Sequence, residues 1–212
     1  MAVRVYFYQL LQALVTLEKS EIIHSDIKPD NILVADNNNV VKLADFGSSF
    51  FVYDQPSLEY IGSRFYRAPE TSILHLIIVL GIENSYSLDL WALACSMYEL
   101  YTGQVLFPGN SNNHMLELIM EKFGKLPHKL LKRGRFLPNH FDSDDNYAFI
   151  QEKSGKKIYF SQTISFSQNF FSHHPHSLLD DSFIDLLTKC LHVNPSKRIS
   201  PLNALKHDFF RI

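Results

Sequence analysis

Glycine is scarce in this chain and badly placed for covering a nucleotide. The eight glycines are Gly47, Gly62, Gly81, Gly103, Gly109, Gly124, Gly134 and Gly155, and no two of them are separated by a single residue. The chain therefore contains no G-x-G-x-x-G loop, and no G-x-x-x-x-G-K-[ST] loop either, which excludes a P-loop ATPase. Cysteine is almost absent. Cys95 and Cys190 have no C-x-x-C spacing, so a disulfide scaffold is excluded, and both read as small buried apolar residues in a reducing compartment. Charge of one sign is also lacking: the net charge of −2 leaves no basic field for nucleic acid, and no direct nucleic-acid binding is expected. The longest apolar run, Ile73 to Ile82, is interrupted by His75 and is too short to span a bilayer. With no charged segment leading into an apolar signal core at the N-terminus, the chain is expected to be intracellular.

What is present reads as one mostly helical unit of 212 residues, long enough to bury a core of its own. Tyr6, Leu10, Ala13, Leu14 and Leu17 recur at helical spacing and predict an amphipathic helix over about 3–19. Ile32-Leu33-Val34 and Val40-Val41-Lys42-Leu43 flank the turn-forming Asp36-Asn37-Asn38-Asn39, which predicts a β-hairpin. Leu88 to Tyr101 predicts a buried central helix, and further helices are expected at 112–123, 178–191 and 201–207. The stretch 133–176 is polar and aromatic-rich, and its Ser, Asn and His content predicts loops.

The chemistry lies on both sides of the hairpin. Before it stands His24-Ser25-Asp26-Ile27-Lys28-Pro29-Asp30-Asn31, after it Asp45-Phe46-Gly47, and further on Ala68-Pro69-Glu70. Phosphoryl transfer needs a carboxylate aimed at the attacking hydroxyl, oxygen ligands for Mg²⁺ and a cation for the transferring phosphoryl group. Asp26 fits the first need as base or orienting group. Asn31 and Asp45 fit the second, because Mg²⁺ takes hard oxygen ligands. Lys28, two residues from Asp26, fits the third. A single D-F-G or H-x-D triplet is a weak signal, whereas the ordered set with hairpin-sized spacing is specific. ATP and Mg²⁺ are the cofactors this chemistry implies.

These motifs resemble those of the eukaryotic protein kinases, and Lys28 points to the serine/threonine class. Ser63-Arg64-Phe65-Tyr66-Arg67-Ala68-Pro69-Glu70 is similar to the CMGC group. His24 to Val34, Tyr98 to Gly103, Leu106-Phe107-Pro108-Gly109 and Asn112 to Met115 resemble the pre-mRNA-processing-factor-four branch, near the dual-specificity tyrosine-regulated kinases. The resemblance covers nearly the whole chain and only the C-terminal lobe of the kinase fold. It implies a mainly α unit with a small β-hairpin, a catalytic loop at 24–31, an activation segment at 45–70 and a CMGC-type insert at about 104–177. It also implies protein substrates, splicing factors among them, and a nuclear location, although the segment has no basic import tract.

Supporting roles follow from the same resemblance. His24 and Phe46 stack in a regulatory spine, Gly47 completes the D-F-G turn, and Asp89 anchors the catalytic-loop backbone. Leu33 lies under the adenine, beside Lys28, Asn31 and Asp45. Glu70 pairs with Arg198. Tyr60 is the activation-loop phosphosite, four residues before Arg64 and seven before Arg67, whose paired guanidinium groups suit a dianion. Ser25 stands where H-R-D kinases carry arginine, so the clamp on a phosphothreonine is absent.

The pattern breaks in two places. Only 23 residues precede His24, and no V-A-I-K-like lysine or partner glutamate helix is among them. The 212 residues by themselves are therefore expected to be inactive, because the missing parts act as a unit with the others. The alternative reading is a non-catalytic module that docks partners. The second break is a surplus of about seven residues beginning at Thr71, read as a retained intron or misplaced splice junction in preference to a lineage insertion. Three further clusters read as solvated surface: His173-His174-Pro175-His176, the trio Asp142, Asp144 and Asp145, and Lys129, Lys132, Arg133 and Arg135.

Overall fold

A computed structural model describes residues 2–35, 39–54, 62–73, 86–132, 137–161 and 181–211. Helix α1, Ala2–Lys19, buries Phe7, Leu10, Leu11 and Leu14, one stripe at 3.6-residue spacing. The expected stripe is rotated by part of a turn, since Tyr6 and Leu17 are only partly buried. Phe7 sets the rotation by entering an aromatic cluster with Phe183, Phe209 and Phe210, at ring separations of 6.0–6.5 Å.

Helix α3, Ser87–Thr102, is buried continuously from Leu88 to Tyr98, as a helix apolar on every face must be. Gly103 ends it in the left-handed region at φ 73°, its N–H bonding back to Glu99. Helix α4, Asn112–Phe123, begins at Ser111, whose side chain accepts from the His114 N–H at 3.1 Å. Short helices α2 (Pro69–Ile73), α5 (His128–Leu131) and α6 (Leu137–His140) connect the frame, and α7 (Asp181–Cys190) and α8 (Pro201–Ala204) close it. Among the described residues no helix is long and apolar enough to cross a membrane.

Among the described residues, three small antiparallel sheets accompany the helices. Strand β1 (Ile22–Ile23) pairs with β4 (Phe50–Phe51), and β2 (Ile32–Ala35) pairs with β3 (Val40–Leu43) as the expected hairpin. The third sheet corrects the reading of 133–176 as loops. Strands β5 (Phe141–Asp142), β6 (Ala148–Ile150) and β7 (Lys157–Ile158) form a three-stranded meander. Its strands are too short for periodicity to register. Packing supplies the reason: Phe149 lies 5.6 Å from Phe141 and 6.0 Å from Phe160. The acidic trio lies at the surface, where Lys157 pairs with both Asp142 and Asp145 at 2.8 Å and ties the β5–β6 turn to β7. Tyr60, most of the surplus after Thr71, Arg133, Arg135 and His173 to His176 lie outside the described residues.

Candidate active site

The segment between β1 and β2 is irregular, so its backbone needs partners from elsewhere. Asp89, 2% exposed near the start of α3, provides them: its carboxylate accepts the His24 N–H at 2.7 Å and the Ser25 N–H at 2.9 Å. Burial pushes the Asp89 carboxyl up to about 7, while those two backbone donors pull it back. Ser25 adopts φ 66°, unusual for a residue other than glycine, and its hydroxyl donates to the Ser48 carbonyl at 2.7 Å. The His24 ring meets the Ala44 carbonyl at 3.0 Å and the Phe46 ring edge-on at 4.8 Å. Burial lowers the His24 pKa, with the Ala44 bond and the charges of Asp26 and Asp45 acting the other way.

Asp26 is the hub of the hydrogen-bonded cluster. One carboxylate oxygen accepts from the Ser63 N–H at 2.9 Å and the Ser63 hydroxyl at 2.7 Å. The other accepts from Lys28 Nζ at 2.8 Å and Asn31 Nδ2 at 3.2 Å. Lys28 also donates to Ser63 Oγ at 3.0 Å. Burial raises the Asp26 pKa, but the bonds from Lys28 and Ser63 and the lysine charge outweigh it and hold the carboxyl below its ordinary value. Ser63, quoted above only as part of a motif, is therefore a central member of the cluster. No spacing rule connects it to Asp26 across 37 residues, so the sequence carried no signal for the contact.

The hairpin returns the chain so that the Ala44 N–H donates to the Asn31 carbonyl at 2.9 Å, placing Asp45 beside the catalytic-type loop. Gln9 on α1 steadies it, accepting from the Val41 N–H at 3.0 Å and donating to the Asn39 carbonyl at 2.8 Å. Asp45 sits at φ 59°, exposed, with one oxygen accepting from the Gly47 N–H at 3.2 Å. Asn31 spends Nδ2 on Asp26, which leaves Oδ1 with no hydrogen bond among the described residues. Two oxygens from adjoining loops, one neutral and one anionic, suit a hard divalent cation. Leu33 is 56% and Phe46 46% exposed.

The segment after Gly62 lies against this loop. Gly62 has φ 75°, and a Cβ there would stand 2.7 Å from the Ser25 carbonyl oxygen. Arg64 donates to the Asn110 carbonyl at 2.8 Å, and Arg67 to Asn112 Oδ1 at 2.9 Å and the Gly62 carbonyl at 2.8 Å. Burial, and then the charge of Arg64, lower the Arg67 pKa, so the two cations share one neighbourhood. Glu70 is bound by both terminal nitrogens of Arg198, at 2.7 and 3.0 Å. Arg198 also lies over the Trp91 ring, 5.1 Å from its centroid.

A helix-rich domain whose H-x-D-x-K-x-x-N loop and D-F-G turn are brought together by a hairpin is the arrangement of a protein kinase. Residues 1–210 match the protein kinase domain, and the chain belongs to that family. It is a CMGC-group kinase near the Prp4 and dual-specificity tyrosine-regulated branches. It is 45% identical over 221 residues to the serine/threonine-protein kinase prp4 of Schizosaccharomyces pombe, covering 99% of this chain and 45% of that protein. It is 38% identical over 224 residues to serine/threonine-protein kinase prpf4B of Dictyostelium discoideum, covering 99% of this chain and 26% of that one. Dual specificity tyrosine-phosphorylation-regulated kinase 2 of Drosophila melanogaster is 36% identical over 210 residues, with 99% and 27% covered. The chain thus spans less than half the length of these relatives.

Proposed function

We propose that the protein transfers the γ-phosphate of ATP to serine or threonine hydroxyls of proteins, with splicing factors among its acceptors and a nuclear place of action. The observation that carries this reading is the Asp26 carboxylate held on both oxygens by Ser63, Lys28 and Asn31. Asp26 orients the acceptor hydroxyl and takes its proton. Lys28 neutralises charge that develops on the transferring phosphoryl group. Asn31 Oδ1 and the Asp45 carboxylate are the groups that would hold Mg²⁺, and Leu33 would bear the adenine. Bound Mg-ATP supplies the phosphoryl group and the charge that neutralises its oxygens.

In this reading the 212 residues form the C-terminal lobe, comprising the catalytic loop at 24–31, the activation segment at 45–70 and the insert at about 104–177. A glycine-rich lid and a strand-borne lysine must then come from outside this stretch, and the stretch alone is inactive. Tyr60 is the activating phosphosite, its phosphate meeting Arg64 and Arg67. The decisive experiment supplies an upstream kinase lobe to the folded protein and measures Mg²⁺-dependent phosphate transfer. Transfer abolished by Asp26→Ala and by Asp45→Ala is expected; a folded protein that transfers nothing sinks the reading. In the same protein Tyr60→Phe is expected to lose most activity.

A further inference from the structure

Asp45 leads into an exposed turn that its own bonds barely hold. Phe46–Ser48 form a one-turn 3₁₀ segment, closed by the Ser49 N–H and hydroxyl, which donate to the Phe46 carbonyl at 3.0 and 2.6 Å. Phe46, Gly47 and Ser48 are all exposed, so packing does little to fix where the Asp45 carboxylate points. A single 3₁₀ turn has poor hydrogen-bond geometry and needs outside support. Behind the turn, the Ala44 N–H is tied to the Asn31 carbonyl. Ahead of it, the Ser48 carbonyl accepts from the Ser25 hydroxyl at 2.7 Å.

Ser25 is 5% exposed and uses each of its polar groups on a different segment. Its N–H donates to Asp89 on α3 at 2.9 Å, its hydroxyl holds the D-F-G turn, and its carbonyl packs against Gly62 so closely that a Cβ there would stand 2.7 Å away. It does this at φ 66°, where a residue with a Cβ is strained. Strain retained at a buried contact beside a candidate reacting centre points to a functional constraint. The link also needs no phosphate, unlike the arginine clamp that this loop lacks.

We propose that the Ser25 hydroxyl is a positioning group for Asp45, a latch that holds the D-F-G turn against the catalytic-type loop. It keeps the Asp45 carboxylate in register with Asn31 for a shared divalent cation. The proposal deepens the kinase reading above and rests on it for the identity of that cation as Mg²⁺. Ser25 acts through Ser48 and touches neither cation nor acceptor. The bland alternative is a structural serine whose loss lowers stability and activity together.

The test compares Ser25→Gly and Ser25→Thr in the full-length protein. Glycine removes the hydroxyl but accepts φ 66° without strain, so the denaturation midpoint is expected to stay close to that of the wild type. Threonine keeps the hydroxyl, yet a β-branched residue is strained there, so its midpoint is expected to fall. The Mg²⁺ requirement should follow the hydroxyl instead. The Mg²⁺ concentration for half-maximal phosphate transfer is expected to rise about three- to fivefold in Ser25→Gly and to stay near wild type in Ser25→Thr, with the acceptor-peptide KM unchanged in both. An unchanged requirement in Ser25→Gly, or one raised equally in both variants, overturns the proposal. Hydrogen exchange without metal or nucleotide gives a readout independent of catalysis. The Ser49 amide should exchange about three- to fivefold faster in Ser25→Gly while the amides of α3 hold their rates. Unchanged exchange at Ser49, or faster exchange shared by α3, overturns the latch. A protein that transfers no phosphate defeats the kinase reading, while the exchange result still decides the latch.

Discussion

Single residues in this domain divide into those that hold the loop and those that would act in it. Ser63 makes the clearest case, since it gives two hydrogen bonds to Asp26 and takes one from Lys28. Ser63→Ala keeps the backbone bond and removes the hydroxyl, so kcat is expected to fall about tenfold, the worth of roughly 1.4 kcal/mol of charge-assisted bonding. Ser63→Thr should restore most of it, and a steady-state comparison of the two variants checks this. The Glu70–Arg198 pair is different in kind, being buried and sharing no hydrogen bond with the Asp26 cluster. Glu70→Ala leaves a buried guanidinium uncompensated and is expected to cost about 3–5 kcal/mol in chemical denaturation. A Glu70→Leu, Arg198→Met double variant should cost less than either single truncation, because no uncompensated charge remains.

At the level of elements, the β2–β3 hairpin depends on a helix. Its inner strand has one backbone donor, Val41 N–H, committed to Gln9 on α1. Gln9→Ala is expected to destabilise the hairpin by about 1 kcal/mol, and hydrogen exchange at the Val41 amide should quicken accordingly. The segment from Gly62 to Arg67 is pinned in a comparable way against the Ser25 carbonyl and α4. The hairpin itself was readable, because two β-branched runs around an Asp-Asn turn is a local pattern. The β5–β7 meander was not, since strands of two or three residues carry no period and owe their existence to Phe141, Phe149 and Phe160 meeting. The α1 stripe was legible in its spacing and misplaced in its phase, which the aromatic cluster around Phe7 decides.

For the molecule as a whole, buried titratable groups set the response to pH. Burial holds His24, His140 and His192 below the ordinary imidazole value, so the unfolded chain binds more protons than the folded one just below about pH 6.5. Their contribution is complete above that value and is lost as pH falls. Asp26, whose folded pKa is depressed, adds a further loss below the ordinary carboxylate value. Asp89 opposes them: its raised pKa favours the folded state at low pH and ceases to as pH rises through about 7. Three imidazoles against one carboxyl give a denaturation midpoint expected to fall between pH 7 and pH 5. A rising midpoint would place Asp89 in control of that window.

The sequence by itself determined the kinase family, the identity of Asp26, Lys28, Asn31 and Asp45 as candidates, and the helices on either side. Those are properties of local order: motifs keep their spacing whatever surrounds them, and long amphipathic stretches announce themselves. Only the tertiary structure decided that Ser63 meets Asp26 and that Gln9 steadies the hairpin. Each of those contacts joins residues at least 30 positions apart, and no local pattern reports a distance that packing alone sets.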